Sequence, residues 1–531
     1  MLQELALTNF KGFHARQRIP LAPLTLIYGP NSGGKSSLLH ALMLLRQCVD
    51  EATTASGLVA RGSRVDLGSF STFVHAHDTT KDATIEVSFD APVARASVRS
   101  IKPLFLPADV VRRIAVSFGR CKVPIEWSRG HTSGEPEFQE VDELKQVSYA
   151  LGDTLRLSVV RDQGQRSRLY RWCGEADVQA MSDFAIKSKL MTSREVQRDA
   201  DAQSILDFMF SSVESPSATE AIPDEALQMQ LREGLHSLRE RYASVLERLS
   251  LEASRMLPSL AVLALNDLES KRMPGDWQDF FQEFEREWEG TIRSIFHVAP
   301  VRERPGRTEL AKDIIDLRSR FGSVGVRVLN GHLAKCEIPY RLSIHSVKDD
   351  VIGDVETLVL TDTRTGSNVS LVDVGFGISQ LLPILAEAIT HEPRVLLIEQ
   401  PEIHLHPRLQ AHLGDFLAEC SGIWREPERA AKDPAPKKPP KPPKLPHRFY
   451  RHGAASQCIV ETHSETLMLR VQRRIREGSV SSDDVCVLYV EGTSQGAQVR
   501  RLRLDEHGDF IDEWPQGFFE DAHREMFPPT P

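Results

Sequence analysis

No stretch of the 531 residues comes near the roughly 20 consecutive apolar side chains that a membrane-spanning helix needs, which counts against transport as the function. Cysteine is scarce. The seven present are scattered with no CxxC pair, which argues against a disulfide scaffold and a zinc ribbon and fits a reducing, cytoplasmic setting. An excess of positive charge is missing too. With 65 Lys and Arg against 74 Asp and Glu the formal net charge is -9, so the chain as a whole has no electrostatic pull on nucleic acid. Met1 to Phe10 carries Glu4 and polar residues within its apolar pattern and does not read as a signal peptide. Internal repeats and sustained heptads are absent, which excludes a long coiled-coil arm.

What is there suits a folded protein of more than one domain: 41% hydrophobic and 26% charged residues over a length that allows a large core. Leu5, Leu7 and Phe10 suggest a first strand, and Leu24-Thr25-Leu26-Ile27-Tyr28, bounded by Pro23 and Gly29, reads as a buried one. A helix should follow from Ser36, with Leu38, Leu39, Leu42 and Leu45 on its apolar side. Alternating runs from about Thr84 to Arg171, such as Thr84-Ile85-Glu86-Val87-Ser88-Phe89, predict antiparallel strands. The spacing then turns helical, giving an insertion over 178–295 between an N-terminal half at 1–177 and a C-terminal half at 296–531. A Pro/Lys-rich tract within 425–447 cannot pack a core and predicts an extended surface loop; a docking role is the alternative. Two basic clusters, Arg293/Arg302/Arg304/Arg307 and Arg470/Arg473/Arg474/Arg476, read as solvated faces.

Chemistry enters at Gly29-Pro30-Asn31-Ser32-Gly33-Gly34-Lys35-Ser36, a full match to GxxxxGK[ST] between an apolar strand and a helix. Glycines let backbone N–H groups close around phosphate oxygens. Asn31, Gly33, Gly34, Lys35, Ser36 and Ser37 are the candidate nucleotide contacts; Lys35 would reach the β- and γ-phosphates and the Ser36 hydroxyl would ligate Mg²⁺. Farther on, Val395-Leu396-Leu397-Ile398-Glu399-Gln400-Pro401-Glu402 is an apolar strand ending in acids. Ligands of a doubly wound sheet sit beyond the carboxyl ends of its strands, so Glu399 is the candidate metal acid and Glu402 the candidate to polarise the attacking water.

Three further elements make the set specific. Asp373-Val374-Gly375-Phe376-Gly377-Ile378-Ser379-Gln380 stands before a helix expected at Leu381 to Ala388. Ile403-His404-Leu405-His406-Pro407 follows Glu402, and Cys458-Ile459-Val460-Glu461-Thr462-His463-Ser464 is a strand ending in histidine. With the opening Asn9-Phe10-Lys11-Gly12-Phe13 and the closing Trp514-Pro515-Gln516-Gly517-Phe518-Phe519, the chain resembles the SMC/RecF/OLD-like branch of ABC-class ATPases over about residues 1–80 and 300–520, and within it the stand-alone bacterial ATPases.

The resemblance implies an α/β fold, an ABC-type P-loop NTPase head with an antiparallel β subdomain and a helical insertion, using ATP and Mg²⁺. Two heads would dimerise head-to-tail on ATP, with higher oligomers an option. It reads the Gly/Ser cluster as a degenerate signature, with Ser379 facing the γ-phosphate held by the opposite copy; a simple helix cap is the alternative. His463 becomes the H-loop histidine touching the γ-phosphate. The His-x-His pair invites a metal reading, but the resemblance assigns that stretch to the D-loop at the dimer seam. No Gln stands in Asp66–Phe73, the region expected to hold the Q-loop. Members of the branch serve DNA repair or phage defence, so two roles stand open: an ATP-gated scaffold for a partner effector in antiviral defence, or a nucleic-acid clamp or sensor. A C-terminal nuclease domain like that of OLD proteins is not expected after Val485 to Val490.

Overall fold

The computed structural model describes residues 1–51, 58–90, 111–124, 138–151, 155–161, 170–172, 288–300, 325–349, 353–388, 394–425 and 456–515. Most of the helical insertion expected at 178–295, the Pro/Lys tract beyond 425, Arg302, Arg304, Arg307 and the closing Gln516 to Phe519 lie outside the described residues. The chain divides into two compact units. One draws on Met1–Ile19, His40–Arg293 and Ser494–Gly496, the other on Pro20–Leu39, Ser294–Thr493 and Ala497–Pro531.

The first unit is built on a seven-stranded sheet in the order β2-β1-β4-β5-β6-β7-β8. Its strands are β1 (Leu2–Thr8), β2 (Gln17–Pro20), β4 (Ala83–Phe89), β5 (Arg112–Pro124), β6 (Phe138–Leu151), β7 (Leu155–Arg161) and β8 (Tyr170–Trp172). β1 pairs antiparallel with β4, and each strand from β4 to β8 pairs antiparallel with the next, as the alternating runs predict. In β4 the even–odd pattern places Ile85, Val87 and Phe89 in the core with Leu5, Leu7, Ile114 and Phe118. Asn9 and Lys11, both at positive φ, bracket Phe10 and turn it inward onto Phe73, ring centroids 5.6 Å apart. Gln47, fully buried, pins the loop after the first helix: its Nε2 donates to the carbonyls of Val59 and Val65 and its Oε1 accepts from the N–H groups of Arg64 and Val65.

The second unit centres on a six-stranded sheet, β16-β15-β3-β14-β13-β9. These are β3 (Leu24–Tyr28), β9 (Ile295–Val298), β13 (Val395–Glu399), β14 (Gln457–Glu461), β15 (Val485–Thr493) and β16 (Gly496–Leu502). All pairings from β15 to β9 are parallel. Every residue of β3 and β14 is buried, the pattern of strands covered on both faces. Parallel register aligns their carboxyl ends: Glu399 pairs with Glu461, and Glu461 with Ile27 just ahead of Gly29. A second, antiparallel sheet is formed by β10 (Tyr340–Asp349), β11 (Gly353–Asp362) and β12 (Asn368–Ser370).

The first helix, α1 (Lys35–Glu51), follows β3; α2 (Phe376–Ala388), α3 (Pro407–Cys420) and α4 (Glu465–Arg476) belong wholly to the second unit. α4 buries Leu467, Met468, Val471 and Ile475, an i, i+1, i+4, i+8 stripe. Its four arginines are ion-paired to three carboxylates. Arg470 and Arg474 pair with Asp415 of α3, Arg473 and Arg474 with Glu477, and Arg476 with Asp509. Near the chain's end, the Trp514 ring stands edge-on to Tyr28, Tyr489 and Phe510 at centroid distances of 5.6, 6.2 and 4.9 Å. No helix among the described residues is long and apolar enough to cross a membrane.

Candidate nucleotide-binding site

The turn from β3 into α1 has no space for a side chain at Gly29 or Gly33. A Cβ on Gly29, which sits at φ +142, would lie 2.0 Å from the Val490 carbonyl oxygen, and one on Gly33 would lie 2.8 Å from the same atom. Gly34 takes φ +103 and Ser32 φ 62, the left-handed conformations that curl a backbone into an anion cradle. Asn31 and Ser32 are exposed at the rim, while Gly33, Lys35 and Ser37 are buried. Lys35 folds back on its own loop: its Nζ donates to the carbonyls of Gly29 at 3.0 Å and Pro30 at 2.8 Å. Burial lowers the Lys35 pKa, and the carboxylates of Glu461 and Glu402 oppose that.

The acids converge at the ends of β13 and β14. Beyond Glu399 the chain turns through Gln400, at φ 40, whose N–H donates to the Glu461 carbonyl at 2.7 Å. That turn carries Glu402 back to β14. Its Oε1 accepts the His463 N–H and its Oε2 the Thr462 hydroxyl, both at 2.7 Å. Thr462 itself is fully buried, and its Oγ1 accepts the Ser464 N–H at 3.0 Å. Burial lowers the His463 pKa and the charge of Lys35 lowers it further, so the ring is neutral near pH 7. Lys35, Glu402 and His463 are thus brought within electrostatic reach of one another in a single unit.

The signature-like segment is placed differently from the expectation. α2 starts at Phe376 rather than Leu381, so Ser379 lies inside the first turn and cannot be its cap. It is 5% exposed, and Gln380 1%. The early start has a packing reason: a Cβ on Gly377 would come within 2.6 Å of the His404 carbonyl oxygen, so only glycine lets this helix lie against the loop after β13. Gly375, just ahead, is exposed, and a Cβ there would meet nothing within 4 Å. His404 holds φ 64, and His406 is the N-cap of α3, its Nδ1 accepting the Arg408 N–H at 3.3 Å with Pro407 in the first turn. Among the described residues no three His, Cys, Asp or Glu side chains are grouped so as to hold a metal ion by themselves.

Residues 1–468 match the AAA ATPase domain family. The chain belongs to that family. Residues 480–527 of this ATPase-family chain also match a family of proteins of unknown function, DUF3696. The assignment agrees with the SMC/RecF-like, ABC-class resemblance carried by the motifs and with the P-loop fold of the second unit. No curated protein matches. Solved structures it is similar to include the Smc head domain of Pyrococcus furiosus bound to the C-terminal domain of ScpA, at 14% identity over 94% of this chain and 96% of that one, with TM-score 0.37. The SMC head domain from Thermotoga maritima is similar at 11% identity over 95% and 99% of the two chains, with TM-score 0.35.

The ATPase-family site contains two residues that motif reading passes over. His297, on β9, donates a hydrogen bond from its Nε2–H to Glu399 Oε1 at 2.9 Å, fixing the direction of that acid. Only the β13–β9 pairing, which sets His297 opposite Leu397, brings them together. In the sequence Glu461 reads simply as part of a strand. It is 4% exposed, hydrogen-bonds Ser36, and faces Lys35, Glu399 and Glu402. Burial, first of all, raises its pKa. Its position beside His463 in the sequence was the available signal, but a buried acid has no chemistry until β14 is set between β3 and β13.

Proposed function

We propose that this chain binds ATP with a divalent cation at the β3–α1 turn and hydrolyses it to ADP and phosphate, pairing two copies around the nucleotide. The observation that supports this best is the convergence of Lys35 and Ser36 with Glu399, Glu402 and His463 at the carboxyl edge of one parallel sheet. The oxygen donors of Ser36 and Glu399 suit a hard cation such as Mg²⁺. A buried Glu461 oxygen, Oε2, without a hydrogen-bond partner also fits a site that awaits positive charge. The cation, when bound, neutralises phosphate oxygens.

The chain's own residues do the rest. Lys35 exchanges the carbonyls of Gly29 and Pro30 for phosphate oxygens, and the N–H groups of Gly34, Lys35 and Ser36 line the cradle, while those of Gly33 and Ser37 donate to the Pro30 and Gly34 carbonyls and brace it. Glu402, held by two donors, orients the attacking water and takes its proton as the terminal phosphoryl group parts from ADP. His463, neutral, contacts that phosphoryl group as a hydrogen-bonding imidazole. In the pairing of two copies the exposed Gly375 end of α2 meets the partner's phosphate, and Ser379 lies buried behind it.

The work of hydrolysis is to gate a partner effector, and antiviral defence is the setting we favour. The net charge of -9 and the ion-paired arginines of α4 support that over a nucleic-acid clamp. The test is nucleotide binding by Lys35→Ala. We expect loss of ATP binding with an unchanged unfolding transition; wild-type affinity would remove the loop from the site.

A further inference from the structure

Glu461 is the one acid of this cluster whose side chain has an unanswered oxygen. The residue is 4% exposed, and its Oε2 is buried with no hydrogen-bond partner among the described residues. A buried carboxylate oxygen left bare is costly and is rarely kept without a purpose. The backbone does not call for an acid there. The Glu461 carbonyl accepts the Gln400 N–H, a bond that any residue could make. The side chain is instead committed toward the nucleotide turn, hydrogen-bonded to Ser36 and within reach of Lys35, with Glu399 directly across in register.

We propose that Glu461 is a third acid of the nucleotide site, orienting the Ser36 hydroxyl and presenting Oε2 to the cation of a cation–nucleotide complex. This rests on the nucleotide reading above. The acids are not closed up enough to chelate an ion alone, so the cation arrives with phosphate oxygens and water, as Mg²⁺ ordinarily does. Glu399, Glu402 and Glu461 against Lys35 leave an excess of negative charge beside the phosphate cradle. A bare triphosphate is therefore repelled and a cation-loaded one accepted. The charge of Glu461 makes nucleotide affinity depend on the cation.

The experiment measures binding of a fluorescent ATP analogue to the full chain in excess Mg²⁺ and in EDTA. For wild type we expect tighter binding in Mg²⁺. Glu461→Gln keeps the shape and removes the charge. It should bind the analogue more tightly in EDTA and less tightly in Mg²⁺, shrinking the ratio of the two affinities by about tenfold or more. Glu399→Gln is the comparison that should behave alike. An unchanged ratio overturns the proposal, including the case in which both affinities fall together, as a purely structural role would give. Should Glu461→Gln not fold, Glu461→Asp decides. One methylene shorter, it should keep the weak binding in EDTA and lose at least about threefold of the Mg²⁺ gain; a full gain counts against the proposal. Binding that Mg²⁺ does not strengthen in wild type overturns the Glu461 role alone, whereas no binding in either buffer overturns the nucleotide reading with it.

Discussion

Replacing Glu402 separates a staple from a catalyst. Its carboxylate accepts two hydrogen bonds at 2.7 Å, from the His463 N–H and the Thr462 hydroxyl. A hydrogen bond to a charged group contributes about 1.5–3 kcal/mol, and a buried donor left without a partner costs about 1–3 kcal/mol. In Glu402→Ala the Thr462 hydroxyl can rotate but the His463 N–H cannot, so a loss of about 3 kcal/mol is expected. At roughly 2–4 °C per kcal/mol for a unit of this size, the thermal midpoint should drop by about 6–12 °C. Glu402→Gln behaves differently. Its amide oxygen can face His463 while its NH₂ donates to Thr462 Oγ1, which keeps its acceptor role toward the Ser464 N–H. The Thr462 hydroxyl proton loses its acceptor, so a stability loss of about 1–2 kcal/mol is expected, smaller than that of the Ala variant. Turnover should nevertheless fall by about 10²–10³-fold, because an amide cannot take a proton from water. The assays are a thermal melt of the nucleotide-free protein and phosphate release at saturating ATP. A Gln variant that turns over within about threefold of wild type would show that Glu402 only staples the two loops. An Ala variant that melts like wild type would undo the structural half of the reasoning.

Gly375→Arg should fold and bind ATP normally, since a Cβ there meets nothing, yet lose ATP-dependent pairing as read by mass measurement. Ser379→Arg should fail to fold, because the residue is buried. His297→Ala should raise the Mg²⁺ concentration for half-maximal nucleotide binding by about tenfold, as outer-sphere partners of metal acids do, and His297→Gln should recover part of it. His332 is buried against Phe416, and burial holds its pKa down to about 3. The unfolded ring takes up a proton below about pH 6.5, so stability is unaffected above that and falls with pH toward 3 at about 1.4 kcal/mol per unit. His332→Gln should flatten this acid limb by about 2 kcal/mol at pH 5, measured by urea unfolding; an unchanged limb would mean the ring is not the group responsible.

The apolar runs were legible where tertiary structure merely repeats local pattern. Leu24–Tyr28 is β3 as read and the run ending at Glu399 is β13, whereas the strand expected to end at His463 stops at Glu461 as β14. Glycine-rich segments misled. The Gly375–Gln380 cluster reads as the lead-in to a helix at Leu381, but Gly377 lets α2 approach the His404 carbonyl, and the helix starts five residues earlier. The arginines of α4 looked basic until α3 brought Asp415 beside them. His297 lay in a four-residue strand with no motif, and its bond to Glu399 exists only through the β9–β13 pairing. Pairing between distant segments is what a motif scan does not contain.

The β3 strand has its hydrogen-bonded neighbours, β14 and β15, at the opposite end of the chain, and Tyr28 bonds Ser464 across 436 residues of sequence. On a ribosome adding about 5–20 residues per second, the phosphate loop waits roughly 20–90 s for the strands that flank it. Until they emerge, an apolar strand and a half-made cradle stand open to other chains. The nucleotide site is thus among the last parts to form during synthesis, and slowing its partner strands should increase aggregation more than slowing the antiparallel sheet does.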